Sequence, residues 1–96
     1  MNPSNALIEN RSTVREIVAR FRTTNPRVFG SVLAGADGID SDLDLLVDPL
    51  PGTTLFDLGG LQVELEALLG VPVDLLTPDD LPAKFRDQIL ATARPI

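Results

Sequence analysis

The chain has 96 residues and a net charge of −6, which predicts one small domain over residues 1–96 and argues against nonspecific binding to nucleic acid. It contains no Cys and no His, which excludes disulfides, thiol nucleophiles and a Ser-His-Asp triad and disfavours zinc. With no Tyr and no Trp either, the remaining chemical tools are carboxylates, hydroxyls, a few Arg and Lys84, and such oxygen ligands favour hard cations such as Mg²⁺.

The charge is unevenly spread. Residues 1–36 carry five Arg against two Glu, whereas residues 37–96 carry three basic and twelve acidic side chains. That acidic portion suits a metal ion or a basic protein partner. No apolar run approaches the length of a membrane span and no signal peptide is visible, so the expected location is the cytoplasm.

In chain order, the first predicted helix covers residues 5–22. Leu7, Val14, Ile17, Val18 and Phe21 recur at helical spacing, and Ser4 or Asn5 can cap the start. Asn25-Pro26 breaks that helix and leads into a short strand, Arg27-Val28-Phe29. Gly30-Ser31 then opens a short helix over 31–36, limited by Gly35 and Gly38. A second strand runs from Asp42 to Val47. Strand side chains alternate faces, so Asp42 and Asp44 share one face and Leu43, Leu45 and Val47 take the other. Asp48 has the parity of Asp42 and Asp44 but precedes Pro49, and reads as a strand-end or turn residue.

A longer helix is predicted from Leu55 to Leu69. Thr54 and Asp57 resemble a capping box, Gly70 terminates it, and Leu58, Leu61, Leu65, Leu68 and Leu69 form its core stripe. Val71–Leu76 is a third strand with Asp74 set in an apolar run. Thr77-Pro78-Asp79-Asp80 is a turn. A last helix spans 82–93, with Pro82 in its first turn and a stripe of Leu81, Phe85 and Ile89. Strands alternating with helices predict an α/β layer arrangement.

Three features carry chemistry. A glycine before a helix start lets backbone approach a phosphate, and the Ser31 hydroxyl can add a hydrogen bond. Equally, Gly30-Ser31 can be an ordinary strand-to-helix turn. Asp42 and Asp44 side by side suit a divalent cation, or form the acidic outer face of a half-exposed strand. Asp74 suits a buried strand only with a partner, a metal or a cleft beside it; otherwise that strand has a solvent-facing side.

Together these residues form Gly30-Ser31-x₁₀-Asp42-x-Asp44 with a later strand Asp74. The pattern resembles the DNA polymerase beta-like nucleotidyltransferase superfamily. Phe56-Asp57-Leu58, Val73-Asp74-Leu75 and Thr77-Pro78-Asp79 look like its minimal nucleotidyltransferases in particular. The resemblance implies a small mixed β-sheet flanked by helices, with Gly30 and Ser31 binding nucleotide. It implies that Asp42, Asp44 and Asp74 are the catalytic and metal-binding residues, with two Mg²⁺ ions and ATP as substrate. It further implies an antitoxin paired with a HEPN-domain RNase toxin, to which AMP is transferred on a tyrosine hydroxyl. Tyrosine self-modification is excluded, because the chain has no Tyr. One departure from the family pattern stands at Ala34, where many relatives carry Arg. A binding-only antitoxin, holding the toxin without chemistry, is the competing reading.

Overall fold

The computed structural model describes residues 2–96. Four helices, α1 (Pro3–Glu9), α2 (Arg11–Arg20), α3 (Leu55–Leu69) and α4 (Ala83–Thr92), accompany four strands, β1 (Thr23–Phe29), β2 (Leu43–Pro49), β3 (Val73–Leu76) and β4 (Arg94–Pro95). The sheet order is β3-β2-β1-β4. β1 pairs antiparallel with both β2 and β4, and β2 pairs parallel with β3, so the sheet is mixed. The parallel step is made through α3, because parallel neighbours need a crossover.

Alternation in β2 divides the protein into two apolar layers. Leu43, Leu45 and Val47 point to one face and are fully buried with Val14, Val18, Leu61 and Leu65 from α2 and α3. Burial of each such side chain stabilises the fold by about 1.5–3 kcal/mol. Leu46 points to the other face and meets Phe29 and Leu81, with Leu33, Leu76, Ile89 and Ala93 packed against them. The carboxylates of Asp44 and Asp74 share this second face, which α4 covers only in part.

Several sequence expectations hold and several are corrected. α3 has the predicted ends. Thr54 and Asp57 exchange the two capping-box hydrogen bonds, and Gly70 closes the helix in the left-handed region at φ 68°. The single helix over 5–22 is instead two, broken at Asn10. The Asn10 side chain donates to the Ala6 carbonyl at 2.8 Å, competing with the helical ladder. The cap of α1 is Asn2, whose side chain accepts from the Asn5 N–H at 3.0 Å, rather than Ser4 or Asn5. α2 ends well before Asn25-Pro26, with Arg22 left-handed at φ 57°. β1 therefore starts at Thr23, and Asn25-Pro26 lies at a register shift between Thr24 and Arg27. In the predicted stripe, Leu81 is buried but Phe85 is exposed, while Ile89 packs against the cluster of Phe29, Leu46 and Leu81. Among the described residues no helix is long and apolar enough to cross a membrane.

Candidate active site

The candidate site lies where β1 ends and β2 and β3 begin. Phe29, the last residue of β1, is the register partner of Asp44, and Asp44 is the register partner of Asp74. The sheet thus sets Asp44 and Asp74 side by side on one face. Gly30 follows at φ +74°, a conformation that L side chains rarely adopt. A Cβ at this position would lie 2.0 Å from Oδ2 of Asp44. Glycine is required at position 30 twice over, by its dihedral and by the carboxylate lying across it.

No helix follows Gly30. Residues 30–35 form turns, with Ala34 N–H donating to the Gly30 carbonyl at 3.1 Å and Ala36 N–H to the Ser31 carbonyl at 2.8 Å. Gly35, at φ +70°, ends the turn before a second helical cycle can form. Ser31 stays half-buried at its start, and Ala34 is exposed.

Burial pushes the Asp44 carboxyl above its usual range. The charges of Asp74 and Asp42 add to this, and so does a hydrogen bond with Asp74. Asp42 stands just before β2 and is exposed. The buried central strand considered for Asp74 is not found. β3 is the edge of the sheet, and Asp74 is exposed. Among the described residues no three carboxylates close around one point. The donor set nevertheless fits Mg²⁺, which keeps several waters and is held by one or two carboxylates together with substrate phosphates. Asp44 and Asp74 would supply two adjacent carboxylate donors, with the charge of Asp42 close by.

Asp48, on the same face of β2, is in a different environment. Arg27 donates to it through both terminal nitrogens, at 3.1 and 3.0 Å, and Asn25 donates at 3.0 Å. These bonds hold its carboxyl below the usual range. Asp48 is a structural anchor, and its partner Arg27 was invisible without the antiparallel register. A cavity of about 200 Å³ opens on the opposite, helical face, between Leu7, Ile8, Val28 and Ile96. No Asp or Glu side chain lines it.

A family model described as a nucleotidyltransferase domain matches residues 11–96. The chain belongs to this nucleotidyltransferase family. Its architecture is the polymerase beta-like nucleotidyltransferase fold. It is 37% identical over 76 residues to protein adenylyltransferase MntA of Thermococcus cleftensis, covering 79% of this chain and 77% of that protein. It is 33% identical over 85 residues to MJ0435 of Methanocaldococcus jannaschii, provisionally named a protein adenylyltransferase, covering 88% of this chain and 91% of that protein. A solved structure provisionally named a minimal nucleotidyltransferase superposes with a TM-score of 0.87 at 42% identity, over 97% of this chain and 95% of the other. A toxin–antitoxin crystal structure with AMP-PNP shares the fold at a TM-score of 0.70 and 18% identity, over 97% of this chain and 71% of the other.

Proposed function

We propose that this nucleotidyltransferase is a single-domain antitoxin that transfers AMP from Mg-ATP to a tyrosine hydroxyl of a HEPN-domain RNase toxin and thereby inactivates it. The observation that carries the reading is the carboxylate pair Asp44–Asp74, aligned by strand register above Gly30. The names of the relatives, protein adenylyltransferases, support the choice of a protein acceptor. Asp42, Asp44 and Asp74 would hold Mg²⁺, which when bound supplies charge neutralisation for the triphosphate and a lowered pKa for the attacking hydroxyl. Two such ions are proposed.

The backbone at Gly30 and the Ser31 hydroxyl would seat the phosphates. The acceptor oxygen attacks the α-phosphorus and forms a new P–O bond. The bond from that phosphorus to the bridging oxygen breaks, and pyrophosphate leaves. The phenolic proton passes to a carboxylate, for which the exposed Asp74 is the accessible group. An acceptor supplied in trans suits a chain that has no tyrosine of its own. It also gives a use to Leu55 and Phe56, apolar side chains 85% and 92% exposed at the start of α3, which a protein partner can cover.

The test is intact-mass measurement of the co-purified toxin after incubation with ATP and Mg²⁺. AMP-sized increments are expected, and their loss in the double variant Asp42→Ala, Asp44→Ala. A folded toxin that gains no mass would count against transfer. Ala34 motivates the second reading, in which the chain neutralises the toxin by complex formation alone, since no Arg stands there to meet phosphate. Full protection of cells by the double variant would favour that reading.

A further inference from the structure

Between Gly30 and Asp42 lies a loop of eleven residues, 31–41, that joins the two ends of the proposed nucleotide site. Its middle is fastened to a distant part of the chain. The Asp37 carboxylate accepts the Ser4 N–H at 2.9 Å through Oδ2 and the Ser4 hydroxyl at 2.5 Å through Oδ1. Thirty-three residues separate the two, so the contact ties the first turn of α1 to the loop. Both side chains are half-buried.

The chemistry of the contact is specific. Ser4 sits in the first turn of α1, where backbone N–H groups have no helical acceptor. A carboxylate satisfies that donor and complements the positive end of the helix. The hydroxyl adds a second, charge-assisted bond, so both oxygens of Asp37 are engaged. The bonds also lower the Asp37 carboxyl below its ordinary range, with the Ser4 hydroxyl the largest cause. On either side the loop is held locally. Val32 packs on the helical core and Leu33 on the other apolar cluster. Beyond Asp37, the Ser41 hydroxyl accepts the Gly38 N–H at 2.9 Å, and Ser41 N–H donates to the Gly38 carbonyl at 3.2 Å. Among the hydrogen bonds of the described residues, the Ser4 contact is the one that ties residues 36–38 to a distant part of the chain.

We propose that Ser4 and Asp37 form a clamp that holds the 31–41 loop in its nucleotide-binding conformation, making both positioning residues for the reaction. The clamp acts on the fraction of molecules whose loop is ordered, and apparent nucleotide affinity scales with that fraction. Its loss therefore raises KM for the nucleotide and leaves kcat nearly unchanged. This inference rests on the nucleotide site proposed above.

The experiment compares the intact chain with Ser4→Ala, Ser4→Thr and Asp37→Ala. Amide exchange is followed without nucleotide, and the Kd for Mg-AMP-PNP is measured by calorimetry. Ser4→Ala and Asp37→Ala should speed exchange of residues 36–42 and weaken binding about fivefold, with unchanged circular dichroism. Ser4→Thr keeps both donors and should restore both readouts. Unchanged exchange at 36–42 in the two Ala variants overturns the clamp. So does a change confined to residues 3–9, since the contact would then serve only α1. A wild-type chain that fails to bind Mg-AMP-PNP contradicts the nucleotide site itself, while the exchange comparison still decides the clamp.

Discussion

Two carboxylates on one face of β2 have opposite fates. Asp48 is gripped by Arg27 and Asn25, and its carboxyl is held below the usual range. Asp44, two residues along on that face from Leu46, has Asp74 and Asp42 as charged neighbours, and its carboxyl is raised. A fold selected only for stability would supply a cation at both ends, because unpaired like charges cost free energy. The difference separates a side chain that holds the sheet together from one that no cation among the described residues neutralises, as the proposed ligand site requires. Sequence parity alone makes the two equivalent. What distinguishes them is which strand lies opposite: Arg27 faces Leu46 and reaches Asp48, whereas the partners of Asp44 are Phe29 and Asp74.

Replacing Asp44 and Asp42 together by Ala should cut AMP transfer by about 10²–10³-fold or more, because electrostatic stabilisation at the phosphoryl group is lost. The same variant should melt no lower than the parent, since it relieves repulsion around Asp74. An activity loss accompanied by unfolding in circular dichroism would reassign Asp44 to the structural class.

Gly30→Ala should reach both classes at once. The positive φ and the approach of the Asp44 carboxylate each oppose a Cβ, and strain of this kind costs about 1–3 kcal/mol. Thermal melting should fall, and nucleotide binding should fall with it as Asp44 is displaced. Gly59→Ala is a control, since a Cβ there meets nothing within 4 Å.

Asp48→Ala should do the reverse of the Asp44 change. It leaves the Arg27 side chain, 10% exposed, without its carboxylate. The loss is expected to be about 1–2 kcal/mol in urea unfolding, with kcat retained. It is smaller than for a fully buried pair because Asp48 itself is 38% exposed.

The smallest effect is in the pH dependence of stability. Asp48 has a lowered folded pKa, so its contribution is fully present above the ordinary value of 3.8 and is lost as pH falls through the folded value. Asp44 has a raised folded pKa, so its contribution is present below 3.8 and is lost as pH rises through the folded value. Asp48→Asn should flatten the acid side of the stability profile, and Asp44→Asn the limb above pH 3.8. Urea midpoints across pH 3 to 7, on the order of the carboxylate range, separate the two.

Much of the frame is legible in the sequence because it depends on local chemistry. The Thr54 cap, the leucine period and Gly70 specify α3 within its own segment, and alternation in Leu43–Val47 assigns both faces of β2. Features that depend on distant contacts are not legible. The break at Asn10 needs one side chain to outcompete a ladder bond. The extension of β1 back to Thr23 needs β2 beside it, together with left-handed Asn25, a type that tolerates that conformation, and left-handed Arg22, a type that does not announce it. The edge position of β3 makes Asp74 exposed despite its apolar neighbours. Within the candidate site, the pairing of Asp44 with Asp74 follows from strand register, while the Ser4–Asp37 bond has no sequence signature.

The most direct measurement is calorimetric titration of Mg-AMP-PNP into the wild-type chain, Asp44→Asn and Asp48→Asn at neutral pH. Binding by the wild type and by Asp48→Asn, with none or little by Asp44→Asn, is the predicted result. Equal binding by all three, or a greater loss from Asp48→Asn, would contradict the assignment of the ligand site to the Asp44 end of β2.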